Sequence, residues 1–590
     1  MGQGPAQPIP YGKIKSINVQ RALELPRVCA VLTGADVAGL QIGRRIYDMP
    51  ILAEDRVRFV GEKVAAVAAE DESTTEPAVS LIDVDYEPWE PLLDPLKALE
   101  PGAPLLHPDV LSYRGLPHPL TSPSNAFIQM RWAKGDIQEG FREADGRTNT
   151  FTTSKMHQAY LEPHSCLVST DASGSAEIWA FSKVPYPLRE QLANALNVCE
   201  EKLLIHPSFI GGDFGGKGDF MDVALAYCLS RQSRRPVKIV MDYEEEFIAA
   251  NPRHASIVNL KTGVKRDGRI IAQQIEITYG SGAYAAFKPL GYLTGAHACA
   301  GPYRIPNVLI EEKIVYTNTV PCGHMRGPGD PQGFFANESQ LDIVARELGI
   351  DRIELRRKNL MVDGDEAPTG ETIHYIKTHD TLEDALSKAG YFAPKKQHVG
   401  RGVALTHWVS NGGKGGVSLS IDERGHVTLS SAMLDQGSGG YTVLCEIVSQ
   451  ELNVPIEQIK VNVLDTGAGL KDTGVGASRA TRVYDNACYY AVSKAKEEFL
   501  RQAAGYLGCY TDDLLLVGGA VLHKRAERKI SYGELLRALG APITVQGTYD
   551  DMSEIHESPV CAQVAEVAVD PETGAVTCRS SLPHITRVPC

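Results

Sequence analysis

The chain is 590 residues long, several times the roughly 100–200 residues of one domain, so several packed units with ample core are expected. Apolar residues make up 43% and charged residues 22%, which excludes disorder, collagen and coiled coil. With 59 basic against 73 acidic residues the net charge is −14, which argues against a nucleic-acid or anionic-membrane surface and for proteins and small molecules as partners.

In chain order, Lys13–Val19 alternates with period two, Val28–Leu32 and Val64–Ala69 are apolar strand signals, and Glu76–Ile82 is a helix candidate leading into the strand Ile82–Tyr86. These make a small α/β unit. The Pro-rich stretch from Pro88 to Pro123 reads as a connecting strap. Beyond Asn125 long helices are expected at Tyr186–Leu196, Asp219–Ser230, Gln332–Leu348, Thr442–Leu452 and Asn486–Leu507. Leu341, Val344, Ala345 and Leu348 share one helical face, as do Leu444, Ile447, Val448 and Leu452, and both faces read as core. Hairpins are expected where turn residues separate period-two strands, at Val264–Ile270, Ile421–Val427 and Val569–Val576. The larger part is therefore α+β, with a polar, turn-rich break near Asp363–Pro394. The strand begun at Ala575 is expected to stop, because Arg579–Cys590 abandons the alternation.

The 12 cysteines contain no CxxC pair, so iron–sulfur and zinc motifs are not read here, and several cysteines sit in apolar helical runs as core residues. No basic segment followed by an apolar core opens the chain, and no run of about 18 apolar residues occurs, so no signal peptide or membrane span is expected and the cytoplasm is the default compartment.

Four glycine-bearing loops carry the chemical signal. The first, Phe209-Ile-Gly-Gly-Asp-Phe-Gly-Gly-Lys-Gly, has four glycines in six positions between an apolar strand and a helix. It is not a Walker loop, since Gly218 follows Lys217. The second, Pro321-Cys-Gly-His-Met-Arg-Gly-Pro-Gly-Asp-Pro-Gln, carries the fixed cation Arg326, which suits oxyanion recognition or satisfies loop carbonyls equally well. Cys322 and His324 are weak metal-ligand candidates without a second pair. The third is Leu434-Asp-Gln-Gly-Ser-Gly-Gly-Tyr-Thr and the fourth Asp472-Thr-Gly-Val-Gly-Ala-Ser-Arg-Ala-Thr. Each feeds a helix start, where bare peptide N–H groups favour a large polar, phosphate-bearing cofactor.

These loops in this order resemble the molybdenum-binding large subunit of the molybdenum hydroxylases, the xanthine dehydrogenase and aldehyde oxidase family. Arg56–Val67 with Val84-Asp-Tyr-Glu resembles the family's N-terminal α/β hammerhead. The implied fold is α+β: a hammerhead domain and strap over residues 1–122, then a two-part molybdopterin-binding region over 123–375 and 376–590. The implied activity is hydroxylation of a carbon centre, in an N-heterocycle or aldehyde, with oxygen from water. A molybdopterin-type cofactor, plain or as the cytosine dinucleotide, would be held by Gly211, Gly212, Phe214, Gly215 and Gly216 of the first loop and Met325, Arg326 and Gly327 of the second. Gly437, Ser438 and Gly439 of the third loop and Ala477 and Ser478 of the fourth complete the implied contacts, with molybdenum near Phe214, Gly215 and Arg326. Electrons would leave through [2Fe-2S] and FAD groups on an iron–sulfur subunit and a flavin subunit, in a dimer of heteromers.

Departures from the family pattern bear on substrate and activity. A substrate glutamate of purine-oxidising members falls at Gly218 and their arginine at Thr294, which disfavours a purine. The glutamine beside the apical ligand falls at Met156, with Gln158 two residues on, and the usual Gly-Gln-Gly of the third loop is Gly437-Ser-Gly. The family's catalytic glutamate lies in a Gly-Val-Gly-Glu segment that would fall beyond Cys590, so no catalytic residue is assigned and a frame change truncating the subunit is expected. Gly474-Val-Gly-Ala resembles that segment, but Ala477 accepts no proton. A non-catalytic scaffold and a split enzyme completed by another chain are the competing readings.

Overall fold

The computed structural model describes all residues except 1, 4–8, 118–119, 288–292, 294, 409–411, 469, 527, 552–555, 558 and 586–590. Thr294 thus lies outside the described residues. The chain forms two compact units, each assembled from three stretches: 1–89, 158–250 and 411–552 in one, and 90–157, 251–410 and 553–590 in the other.

In the first unit a seven-stranded sheet runs in the order Leu203–His206, Ala176–Ala180, Ser165–Thr170, Val237–Val240, Gly2–Gln3, Ala65–Ala69, Val28–Thr33. A four-stranded sheet, Ile459–Val463, Val427–Ser431, Lys414–Ile421, Ile543–Asp550, is covered by the helices Gly440–Leu452 and Asn486–Leu507. Val417, Leu419, Leu444, Val448, Ala491 and Phe499 fill the core between them. The expected strands of the first 90 residues form, but the helix runs Glu72–Ser80, earlier than expected, because the Asp71 carboxylate caps it by accepting the Thr74 N–H at 3.0 Å. The helix after the first loop begins at Val223 rather than Asp219. Met221 adopts a left-handed φ of 32°, while Asp219 and Asp222 bind Arg44 at 3.1 Å and Lys63 at 2.5 Å, so the chain turns helical only after these contacts.

In the second unit Asp145–Thr153, Ala255–Val264, Ile270–Gly282, Asn307–Tyr316 and Ala126–Lys134 form a five-stranded sheet. The helix Asp330–Leu348 packs on it through Leu341, Val344 and Ala345. All three expected hairpins are present. The stretch near 363–394 is not only a break: it contains the helix Thr378–Lys388, whose Leu382, Ala385 and Leu386 are buried. The last strand also corrects the sequence reading, since Val576–Ile585 pairs with Val560–Val569 through Ile585. As an edge strand exposed through residue 583, it needs no apolar face, so loss of alternation does not end it, and an edge tolerates Pro583.

Candidate functional site

The first, third and fourth loops lie in the first unit, and the second loop lies in the other. In the first loop Gly212 and Gly215 take φ of 98° and 114°, and Phe214 between them takes 48°. That left-handed conformation costs a residue with a Cβ about 1–2 kcal/mol. The Asp213 carboxylate holds the turn by accepting the Gly215 N–H at 2.9 Å, the Lys217 N–H at 2.8 Å and the Lys183 ammonium at 2.6 Å. Glycine is required at 216 by close approach, since a Cβ there would lie 2.7 Å from the Tyr160 ring.

Beneath this loop lies a buried polar network. Glu246 accepts the Tyr160 hydroxyl at 2.5 Å and faces His164 Nδ1 at 3.0 Å, while His164 Nε2 donates to the Gly216 carbonyl at 3.2 Å. Lys217 Nζ, fully buried, donates to Glu162 at 2.7 Å, and the same carboxylate accepts the Gly211 N–H at 2.6 Å. Burial pushes the Lys217 ammonium down, opposed by Glu162, and the Tyr160 and Phe181 rings lie 5.0 and 4.9 Å from it. Burial and then Glu246 push the Tyr160 phenol up, so it remains a donor.

The fourth loop is tied to the first through Lys183. Its N–H donates to the Lys217 carbonyl and its carbonyl accepts the Val475 N–H, each at 3.1 Å. Gly474, at φ 71°, packs so closely that a Cβ would lie 2.6 Å from Val184. Next come two consecutive left-handed residues with side chains, Ala477 at 49° and Ser478 at 58°. Asp472 accepts the Tyr484 hydroxyl at 2.8 Å and the Gly474 N–H at 3.1 Å, and burial pushes its carboxyl up to about 6. In the third loop the Asp435 carboxylate accepts the N–H groups of Gly437 and Ser438 at 2.8 Å and of Gly439 at 3.3 Å. Burial opposes ionisation of Asp435, but the backbone donors, led by Gly437, hold its carboxyl below the usual range. Met433 and Val475 belong to one core, which links the third and fourth loops.

In the other unit the second loop is held from behind by Arg253. Its guanidinium donates to the Arg326 carbonyl at 2.7 Å and the Gly327 carbonyl at 2.8 Å, and burial lowers its affinity for its proton. Gly327 and Gly329 take φ of 66° and 92°, the latter as the residue that opens helix Asp330–Leu348. Cys322 is buried, with Sγ 3.5 Å from the Gly280 carbonyl.

Sequence reading expected bare amides, and the structure corrects this: several N–H groups of the first, third and fourth loops already donate to Asp213, Asp435 and Asp472. Successive N–H groups of a tight turn converge, and an aspartate at its start is the nearest acceptor. Lys183, Arg253, Glu162, His164 and Glu246 were not anticipated. Arg253 follows a proline, and Lys183 precedes Val184-Pro185 at a helix entrance, the only local signals either residue offers. Met156 is 55% exposed, whereas Gln158 is 5% exposed and borders Gly216. Gly218 is buried beside Arg44 and Lys183.

The arrangement fits a metal carried by an organic group. At Gly437, Gly439 and Gly476 a Cβ would meet nothing within 4 Å, so a ligand can approach the backbone there. The nearby donors are peptide N–H groups and the Ser438 and Ser478 hydroxyls. Among the described residues no group of three or more His, Cys, Asp or Glu is placed to hold a metal ion directly.

Comparison with known proteins agrees along the chain. Residues 6–90 match the family model of the aldehyde oxidase and xanthine dehydrogenase a/b hammerhead domain. Residues 118–360 and 377–582 match two models of the molybdopterin cofactor-binding domain. A probable xanthine dehydrogenase subunit of Bacillus subtilis (strain 168) is 32% identical over 558 residues, 92% of this chain and 72% of that protein. The nicotinate dehydrogenase large molybdopterin subunit of Eubacterium barkeri is 30% identical over 384 residues, 65% of this chain and 87% of that protein. Among solved structures, Cu,Mo-CO dehydrogenase has the same fold, with TM-score 0.88 at 24% identity over 99% of this chain and 80% of that one. Quinoline 2-oxidoreductase from Pseudomonas putida 86 gives 0.87 at 24% identity over 99% and 79%. With its hammerhead and two cofactor-binding domains in this order, the chain belongs to the molybdenum hydroxylases, the xanthine dehydrogenase and aldehyde oxidase family, as a molybdopterin-binding large subunit.

Proposed function

We propose that this subunit hydroxylates a carbon centre of an N-heterocycle or an aldehyde with oxygen from water, using a molybdopterin-type cofactor in its plain or cytosine dinucleotide form. When bound, that group supplies the redox-active metal that accepts the substrate's electrons. The residues that would hold it are Gly211, Gly212, Phe214, Gly215 and Gly216, with the turns Met325–Gly327, Gly437–Gly439 and Ala477–Ser478. Asp213, Asp435 and Arg253 fix the backbone of these turns, so their remaining donors are oriented before the ligand arrives. Buried Gln158, bordering Gly216, is the amide proposed for the site in place of exposed Met156. Gly218 offers no carboxylate to a purine, which favours a non-purine substrate.

The observation that carries the reading is the left-handed backbone of three residues with side chains, Phe214, Ala477 and Ser478, each on a loop singled out from sequence. Such strain concentrates where a ligand must be met. The domain division is 1–122, 123–375 and 376–590, supported by the family matches over 6–90, 118–360 and 377–582. An iron–sulfur subunit carrying [2Fe-2S] and a flavin subunit carrying FAD are the proposed electron acceptors, in a cytoplasmic dimer of heteromers. Among the described residues no helix is long and apolar enough to cross a membrane.

The test is metal analysis of the chain co-expressed with cofactor maturation factors, followed by product analysis of the reconstituted complex with N-heterocycles and aldehydes in isotopically labelled water. Stoichiometric molybdenum and solvent oxygen in the product are expected. Persistent absence of molybdenum would overturn the reading in favour of a scaffold that keeps the fold. Molybdenum without turnover until a further chain is added would point to a split enzyme.

A further inference from the structure

Lys183 lies between the strand Ala176–Ala180 and the helix Pro185–Leu196. Val184, at φ −133° and ψ 65°, separates it from Pro185 at the first helical position, and the two backbone polar groups of Lys183 face different loops. Its N–H meets the Lys217 carbonyl of the first loop, and its carbonyl meets the Val475 N–H of the fourth. Its side chain turns to the Asp213 carboxylate at 2.6 Å, with 11% and 2% of the two side chains exposed. Asp213 in turn organises the Gly215 and Lys217 N–H groups. Gly474 closes the junction from the fourth loop, seated against Val184 and the Lys183 carbonyl without room for a Cβ.

We propose that Lys183 is a positioning residue that clasps the first and fourth loops into one body, so that the left-handed turns at Phe214 and Ala477–Ser478 are presented together as a preformed cradle. The identity of what the cradle receives rests on the function proposed above; the clasp stands on the bonds alone. An unpaired Asp213 carboxylate would draw the Gly215–Lys217 turn toward other donors, and the displaced Lys217 carbonyl would pull the Lys183 backbone away from Val475. Because coupling is reciprocal, a disturbance begun in the fourth loop returns to the first.

Residue-resolved hydrogen exchange on the full chain, free of cofactor, tests the clasp. Lys183→Met is expected to speed exchange not only at Gly215 and Lys217 but also at Val475, by about tenfold, the size of an ordinary coupling. Gly474→Ala is expected to do the same at Gly215 and Lys217, although it touches neither. Lys183→Arg keeps the protection of both loops. Unchanged exchange in the seven-stranded sheet shows that each variant is folded, and if Lys183→Met does not fold, Lys183→Met/Asp213→Asn takes its place without an unpaired buried charge. Changes confined to the loop that carries the substitution would overturn the clasp. In protein loaded with molybdenum, Lys183→Met is expected to lose metal on dialysis faster than wild type or Lys183→Arg, and equal retention would overturn the cradle. A wild-type chain that never takes up molybdenum would refute the proposed function, while the exchange result would still decide the clasp.

Discussion

The first and third loops use the same device to different depth. Each begins its turn with an aspartate whose carboxylate gathers successive backbone N–H groups. Asp213 is buried and paired with the Lys183 ammonium at 2.6 Å, whereas Asp435 is partly exposed and is held by backbone and Ser438 hydroxyl donors. The aspartate of the first loop is thus tied by an ion pair to a neighbouring element, whereas that of the third is met by donors of its own loop. Under the function proposed above, the first loop would set the position of a bound group and the third would conform to it.

Removing each carboxylate gives the largest expected contrast. Asp213→Ala leaves a buried ammonium without its partner and should cost about 3–5 kcal/mol of unfolding free energy, against about 1 kcal/mol for Asp435→Ala. Denaturant titration of the two variants checks this, and equal losses would break the comparison. A smaller contrast separates the glycines. Gly474→Ala meets Val184 as well as a φ of 71° and should cost about 2 kcal/mol. Gly439→Ala, at φ 80° in open space, should cost about 1 kcal/mol.

The pH dependences should have opposite signs. Asp472 has its carboxyl raised by burial from 3.8 to about 6, so the folded chain holds that proton more tightly than the unfolded one and stability falls as pH rises across that window. Asp472→Asn should therefore raise the melting temperature at neutral pH more than near pH ~4. At Asp435, burial works against ionisation but the backbone donors prevail and the carboxyl is held low. Its contribution is present above the ordinary carboxylate range and disappears as pH falls through the folded value. Asp435→Asn should destabilise at neutral pH, with the loss vanishing in strong acid; a pH series of thermal melts reads both. The smallest effect is at Ser438, whose hydroxyl lies 3.3 Å from Asp435 in an exposed position, and Ser438→Ala should stay within about 0.5 kcal/mol.

The loops were legible because clustered glycine is a local signal, and the long helices because their apolar faces repeat within a few residues of sequence. Gly440–Leu452 and Asn486–Leu507 form close to where periodicity places them. What holds the loops was not legible, since Lys183, Glu162, His164 and Glu246 reach the first loop from separations of 30 to 55 residues or through one another. No spacing rule connects a glutamate in a short helix, Tyr243–Ala249, with the carbonyl of Gly216 by way of a histidine. The left-handed turns at Phe214, Ala477 and Ser478 were hidden for a different reason: residue type argues against them, and only the surrounding bonds sustain them.

The second loop carries a further consequence of its anchor. In a trans peptide the carbonyl and the N–H point in opposite directions, so turning the Arg326 carbonyl onto Arg253 sends the Gly327 N–H to the far side of the plane. The next peptide also gives its oxygen to Arg253, but it belongs to Pro328 and has no hydrogen to send. Of these two consecutive peptides, therefore, one keeps an N–H, that of Gly327, on the side away from Arg253, and the other has none.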